Sequence, residues 1–145
     1  IIGEGHLRAP LQQLIEELDL GARVFLRGAK SQDEVIGALE ESDILLAPSL
    51  AEVLPVSLME AHAVGLPVLA TQVGSVDQIV RHGISAFLVP PGDPAALCRC
   101  LAELIEHPEE RAEMGRRGRR HVEQNYDIED LNDRLVNIYQ DLLAA

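Results

Sequence analysis

Two glutamates near the middle of the chain carry the clearest chemical signal. Glu52 follows the apolar run Ile44–Ala47, which is typical of a buried strand, and Glu60 lies in a helical pattern from Val56 to Val64. Ligands of open parallel sheets bind outside the carboxyl ends of the strands, where the first amides of a helix attract anions. Two carboxylates would repel an anion there unless they accept hydrogen bonds from neutral hydroxyls. A sugar phosphate or a nucleotide–sugar combines both kinds of group.

The alternative interpretation is that the same glutamates are solvated or capping residues without a ligand. The position of Glu60 disfavours this alternative, because Glu60 is embedded in an apolar stretch with Leu58, Met59 and Ala61 and would be costly to bury without a partner. A ribose diol or a backbone N–H would supply that partner. The pair does not resemble the acid and nucleophile of a hydrolase, since nothing in the sequence supplies a water site or facing carboxyl groups.

Strand and helix patterns alternate along the first ninety residues and must position these glutamates. Short apolar runs predict strands near Ile1-Ile2, Val24–Leu26, Ile44–Ala47, Val68–Ala70 and Phe87–Val89. Helical patterns lie between them, at about Leu7–Leu20, Gln32–Glu41, Val56–Val64 and Val76–His82, and Ser31 with Glu34 forms a capping box before the second of them. The alternation predicts an α/β fold with a Rossmann-like parallel sheet, buried strands and helices on both faces.

A three-helix tail is predicted at about 94–145. Asp93 is placed as an N-cap with Pro94 at the first helical position. The helices are expected at about Ala95–Glu106, Pro108–Glu123 and Ile128–Leu143. The last one carries an apolar stripe formed by Leu131, Leu135, Ile138 and Leu142. This stripe packs either on the sheet of its own domain or on another domain, and the sequence does not decide between them.

Composition excludes several function classes. The net charge is −12 over 145 residues, which disfavours nucleic acid as a partner, and no apolar run approaches the roughly 20 residues of a membrane span. The basic run Arg111–Arg120 is interpreted as a solvated helix face, with a contact to an anionic membrane surface as the alternative. Cys98 and Cys100 point to different faces of a helix and cannot pair, which suits a reducing cytoplasm. The five histidines show no metal-ligand spacing, so no metal site is predicted.

Two other α/β readings are weak. Gly3 and Gly5 follow an apolar start, but a dinucleotide fingerprint also needs a third glycine where this chain has Arg8. A phosphoacceptor receiver domain needs an acidic cluster at strand ends and a lysine after its last strand, whereas Asp43 precedes its strand and no lysine follows Val89.

The segment around the glutamates also carries a family resemblance. It resembles the donor-site signature of retaining glycosyltransferases of family 4, which have the two-domain GT-B fold. The matching residues are Pro48-Ser49, Glu52, Pro55, Glu60-Ala61, Ala63, Gly65 and Pro67-Val68. Three further segments, Ile2–Gly5, Val24–Gly28 and Gly83–Gly92, are similar to other family motifs and occur in the same order. Four ordered matches make the resemblance specific.

The resemblance implies a fold and an activity. Residues 1–145 would be a single C-terminal domain of a GT-B fold that binds a nucleotide–sugar donor and lacks its first strand and helix, including the basic segment that holds the diphosphate. The parent enzyme would transfer a sugar from a nucleotide diphosphate donor to a glycan or lipid-linked acceptor in polysaccharide biosynthesis. Its partner would be an N-terminal acceptor-binding domain of the same chain, and its location cytoplasmic, with a peripheral membrane contact as an open alternative. The donor is a substrate, and no cofactor or metal is implied.

Roles for individual residues follow from the same resemblance. Glu60 would hold the ribose hydroxyls, and Glu52 would face the donor sugar. The donor-binding loop comprises Glu52, Val53, Leu54, Pro55, Val56 and Ser57, with the amides of Val56 and Ser57 at the diphosphate. Gly28, Ala29 and Lys30 would lie on the side of the nucleobase.

One residue departs from the family pattern. Val53 stands where the family usually has glycine, which restricts the backbone after Glu52. A β-branched residue disfavours positive φ, so Val53 is predicted at negative φ. The substitution also keeps open a second function, that of a catalytically inactive GT-B-like binding or scaffold domain.

Overall fold

The computed structural model describes residues 1–144. The chain divides into two compact units, Ile1–Ala38 and Leu39–Ala145. That residues 1–145 form one domain stays a prediction.

The first unit contains α1 (Arg8–Glu17) and most of α2 (Gln32–Glu40). The capping box before α2 is confirmed, because the amide of Ser31 donates to Glu34 Oε2 at 2.9 Å and the amide of Glu34 donates to Ser31 Oγ at 3.4 Å. The reciprocal bonds satisfy two amides that the helix itself leaves without acceptors.

The strands predicted at Ile1-Ile2 and Val24–Leu26 are wrong. Both segments are irregular, although they lie side by side and share backbone hydrogen bonds such as Arg27 N to the carbonyl of Ile1 at 2.8 Å. The pairing reaches Gly3, whose amide donates to the carbonyl of Gly28 at 2.8 Å, but Gly3 has a φ of 131°, which lies outside the range of a regular strand.

The second unit contains a parallel sheet of three strands in the order β1-β2-β3. The strands are β1 (Leu45–Ala47), β2 (Val68–Thr71) and β3 (Ala86–Val89). Helices connect and follow them: α3 (Val56–Ala63), α4 (Val76–Ile79), α5 (Pro94–Glu106), α6 (Pro108–Asn125) and α7 (Ile128–Ala144). The predicted α/β fold with a parallel sheet is therefore confirmed.

Burial follows the position of each strand in the sheet. All four residues of the central strand β2 are buried, as predicted for a strand covered on both faces. The edge strand β1 is only partly covered, and Leu46 is 43% exposed, so the prediction of full burial is wrong for β1. One core cluster contains Leu69, Val89 and Leu104, with α5 packed against the sheet.

The helices of the second unit begin where the sequence predicts. The carboxylate of Asp93 accepts the amide of Ala96 at 2.9 Å and caps α5, whose first residue is Pro94. In contrast, α4 stops three residues before the predicted end at His82, because Val80 adopts extended dihedrals and His82 then bridges to Ala86.

The apolar stripe on α7 is not covered by the rest of the second unit. None of the described residues of α7 is buried, and Leu135, Ile138 and Leu142 are each about half exposed or more. Packing of this stripe on the domain's own sheet, one of the two alternatives left open by the sequence, is therefore wrong for the described structure.

Candidate functional site

The loop after β1 positions Glu52 at the carboxyl edge of the sheet. Its carboxylate accepts a hydrogen bond from Ser49 Oγ at 2.7 Å through Oε1, while its Oε2 has no hydrogen bond within residues 1–144. Ser49 thus orients Glu52 and leaves one oxygen available for a ligand. Such a carboxylate oxygen accepts hydrogen bonds from sugar hydroxyls.

The loop after β2 braces the loop that carries Glu52. The hydroxyl of Thr71, the last residue of β2, is buried and donates to the carbonyl of Ser49. Gly74 lies so close that a Cβ atom built on it would be 1.9 Å from the carbonyl oxygen of Glu52. Only glycine fits this approach, since Gly74 also has a positive φ of 54°.

The amino end of α3 offers unused backbone donors beside Glu52. Leu58 N bonds to the carbonyl of Pro55 at 3.1 Å, but Val56 N and Ser57 N have no hydrogen bond in the described structure. No side chain caps this end, because the N-cap residue is Pro55. Free amides at the positive end of a helix dipole are a geometry that can bind an anion weakly.

The predicted donor-binding residues differ in exposure. Val53, Leu54, Val56 and Ser57 are exposed, whereas Glu52 and Glu60 are half-buried. Pro55 is buried, so it offers a ligand little surface.

Val53 has the backbone conformation predicted for it. Among the described residues, Asp19 is the single non-glycine residue with a positive φ, so the prediction of negative φ at Val53 is confirmed. The loop therefore accommodates valine without the strain of a left-handed conformation.

Gly28, Ala29 and Lys30 belong to the first unit and immediately precede α2. Gly28 has a φ of 73°, which favours glycine, and Lys30 Nζ pairs with Glu34 Oε1 at 2.6 Å. Their role at a nucleobase stays a prediction.

Sequence reasoning missed the buried histidine of α3. His62 is fully buried, and neither of its ring nitrogens has a hydrogen-bond partner among the described residues. Its ring packs against α6, where a Cβ on Gly118 would lie 2.4 Å from His62 Nδ1. Burial, together with the nearby His121, lowers the pKa of His62 from 6.5 to about 4. The signal in the sequence was the apolar setting of His62, not any spacing between histidines.

One group of potential metal ligands lies away from this loop. The ligand atoms of His107, Glu109 and Glu110 are within 4.8 Å of one another, but all three residues are exposed. Exposed acidic groups of this kind occur commonly without a metal, and this one lies at the start of α6.

The comparison with protein families identifies the chain. The family described as "Glycosyl transferases group 1" matches residues 1–121. The chain belongs to this family. The match includes the whole loop after β1 and all of α3, and thus both glutamates singled out from the sequence.

Curated relatives support the same membership. The chain is 42% identical to the "Amylovoran biosynthesis glycosyltransferase AmsK" of Erwinia amylovora over 112 residues, which cover 73% of this chain and 28% of AmsK. It is 34% identical to the "Putative colanic acid biosynthesis glycosyltransferase WcaL" of Escherichia coli K12, over 98% of this chain and 37% of WcaL. The chain thus spans about a third of the length of these relatives.

Solved structures show the same fold. The sucrose-phosphate synthase of Thermosynechococcus elongatus superposes with a TM-score of 0.89 at 27% identity, covering 97% of this chain and 35% of the synthase. Anabaena HepE, solved in complex with UDP-glucose, superposes with a TM-score of 0.86 at 22% identity over 97% of this chain and 40% of HepE. The architecture is that of the GT-B glycosyltransferases.

Proposed function

We propose that the loop after β1 and the start of α3 bind the nucleotide diphosphate–sugar donor of a retaining family 4 glycosyltransferase. The observation that carries the proposal is the pair of free amides at Val56 and Ser57, in the same loop and helix start as the carboxylate of Glu52, which Ser49 holds in place. The amides suit an anionic diphosphate, and the carboxylate suits neutral hydroxyls. A nucleotide–sugar presents both within one molecule.

Glu52 and Glu60 have separate roles in this proposal. The free Oε2 of Glu52 accepts a hydroxyl of the donor sugar, and Ser49 keeps the carboxylate from turning away. Glu60 lies one turn into α3 and is half-buried, so a ribose diol that bonds to it is held by a charged acceptor. Such charge-assisted hydrogen bonds are worth about 1.5–3 kcal/mol.

In this proposal the acceptor is bound by another part of a longer parent enzyme. The relatives AmsK and WcaL are named for the biosynthesis of amylovoran and of colanic acid, and we assign the parent of this chain to transfer of a sugar onto a glycan or lipid-linked acceptor in polysaccharide biosynthesis. An N-terminal acceptor-binding domain of the same parent is the partner, and the exposed apolar stripe of α7 offers a surface to it.

Donor binding is proposed to need no metal, because helix amides and the basic groups of the parent neutralise the diphosphate. Addition of EDTA then leaves transfer by the parent enzyme unchanged, and a loss of activity that Mg²⁺ restores refutes this point. The proposed location is the cytoplasm. Within residues 1–144, every helix is too short or too polar to cross a bilayer.

The test measures donor affinity in the parent enzyme. Calorimetric titration with UDP-, GDP- and ADP-sugars identifies the base, and Glu60→Gln then lowers affinity for the preferred donor at least several-fold. Glu106→Gln at the exposed end of α5 is the matched control and leaves affinity unchanged. Equal affinity in both variants removes Glu60 from the site.

A second candidate function is an inactive binding domain, favoured by the bulky and 84% exposed Val53 where the family usually has glycine. Donor binding by the parent without turnover, restored to turnover by Val53→Gly, supports this alternative. Sugar transfer by the unmodified parent excludes it.

A further inference from the structure

A polar groove lies between the turn before β3 and the second half of α6. Its volume is about 360 Å³. Charged and polar side chains line most of it: Arg81, Arg117, Arg120, His121, Gln124 and Asn125. No carboxylate belongs to this lining, although the chain carries a net charge of −12.

The groove carries an excess of positive charge. Arg117 Nε bonds to Glu113 Oε1 at 2.8 Å, and Arg120 lies 3.8 Å from the same oxygen. The hydrogen bonds from Arg116 and Arg117 lower the pKa of Glu113, so this carboxylate stays ionised. One carboxylate thus faces several guanidinium groups and cannot neutralise them all.

Arg81 has no such partner. Within residues 1–144, its guanidinium forms no ion pair and no hydrogen bond, while its backbone is fully engaged. The carbonyl of Arg81 accepts the amides of Ile84, Ser85 and Ala86, and its amide donates to the buried Ser85 Oγ at 3.0 Å. The side chain of Arg81 therefore extends from a fixed backbone, and its guanidinium charge is available to bind an anion.

The facing wall of the groove is fixed as well. On α6, Gly118 packs against the ring of His62. His121 on the same helix and Tyr126 directly after it both contact the carbonyl of Gln78. Arg117 and Arg120 are one turn apart on this helix and reach the groove together. An anion between Arg81 and this pair relieves the repulsion among three like charges.

The groove is separate from the loop that carries Glu52. Arg81 and Ser85 precede β3, at its amino end, whereas Glu52 follows the carboxyl end of β1. Because the strands are parallel, all of their amino ends lie on one side of the sheet and all of their carboxyl ends on the opposite side, so Arg81 and Glu52 are on opposite sides. An anion in this groove is therefore not the diphosphate of the donor.

We propose that this groove binds a phosphoryl-bearing anion through Arg81, Arg117 and Arg120. Guanidinium groups bind phosphate oxygens through paired charge-assisted hydrogen bonds. The groove has room for more than a phosphoryl group and is also lined by Gln124, so a phosphomonoester or phosphodiester with further polar atoms fits it. The phosphoryl group belongs to a soluble compound or to a lipid headgroup, and the experiment below distinguishes these sources.

The first arm uses inorganic phosphate as the probe. Amide shifts are followed by NMR during titration at constant ionic strength, with chloride as the reference anion. We expect shifts at the Arg81–Ser85 turn and in the second half of α6, and at least fivefold weaker binding in both Arg81→Gln and Arg120→Gln. Arg99→Gln, an exposed arginine of α5 with the same change of charge, is the control and keeps the affinity. Thermal melting confirms that each variant folds.

The second arm uses vesicles of phosphatidylcholine with and without phosphatidylglycerol. If the chain cosediments with the anionic vesicles, and Arg81→Gln and Arg120→Gln each abolish this cosedimentation, the phosphoryl group belongs to a lipid headgroup. Phosphate binding without cosedimentation assigns it to a soluble compound. The proposal is overturned if neither probe binds, or if the two groove variants and Arg99→Gln weaken binding equally in both arms.

Discussion

His62 makes the stability of this chain depend on pH. Its imidazole is fully buried, and neither nitrogen has a hydrogen-bond partner within residues 1–144. The pKa is therefore about 4 in the folded chain and 6.5 when the residue is solvated. Between these values the unfolded chain binds a proton that the folded chain excludes. The stabilisation is complete above pH 6.5 and is lost as the pH falls from 6.5 toward 4.

The size of this loss follows from the two pKa values. The fall from 6.5 to about 4, at ~1.36 kcal/mol for each pH unit, corresponds to a decrease of about 3 kcal/mol in the free energy of unfolding. A loss of this size is a large fraction of the 5–15 kcal/mol that is typical, as an order of magnitude, of a folded domain.

The assay is urea unfolding at pH 7.5, 6, 5 and 4, followed by circular dichroism. Carboxylates also titrate in this range, so the comparison is with His62→Leu, which keeps a buried side chain of similar size and removes the imidazole. We expect the stability of the variant relative to the unmodified chain to rise by about 3 kcal/mol from pH 7.5 to pH 4. A difference that stays constant across this range refutes the reasoning, because the imidazole would then be solvated or hydrogen-bonded in the folded chain.

Two glycine contacts lead to further predictions. Gly74→Ala places a Cβ against the carbonyl of Glu52 and should weaken nucleotide–sugar binding by the parent. The control is Gly83→Ala, because Gly83 has a similar positive φ but open space around it. Equal affinities of the two variants in calorimetry contradict this prediction. Gly115→Ala places a Cβ 1.9 Å from a backbone carbonyl at the end of α3 and should destabilise the chain by about 1–3 kcal/mol in urea unfolding. Gly37→Ala in α2 meets open space and should stabilise it by up to about 1 kcal/mol; stabilisation by both contradicts the packing of α3 on α6.

Local sequence signals predicted much of the fold. Capping residues act on their own helix, so Asp93 and the pair Ser31 and Glu34 set helix starts that the structure confirms. The apolar residue type alone led to a wrong strand prediction near the start of the chain. The apolar pair Ile1-Ile2 forms backbone hydrogen bonds with its neighbouring segment but no regular strand, and Gly3, which follows it, takes a positive φ that its residue type permits but does not predict.

The residues of the candidate site were proposed from the sequence and stay a prediction, whereas the contacts that hold the loop of Glu52 in place were not foreseen. The apolar pattern and spacing identified Glu52 and the start of α3. The contact of Gly74 with Glu52, and of Gly118 with His62, could not be read from the sequence, since each joins segments of different elements. The position of a glycine in the sequence does not predict which backbone carbonyl or side-chain ring of another segment packs against it.

The central claim is that the amides of Val56 and Ser57 receive the diphosphate of a nucleotide–sugar. The most direct measurement is a ¹H–¹⁵N NMR titration of this chain with UDP, GDP and ADP at millimolar concentrations. These two amides are the free donors at the start of α3, and helix amides alone give weak binding. We predict weak, saturable shifts that are largest at Val56 and Ser57 for at least one nucleotide, and no turnover of the corresponding nucleotide–sugar. Shifts confined to other segments, or none at any of the three nucleotides, contradict the claim.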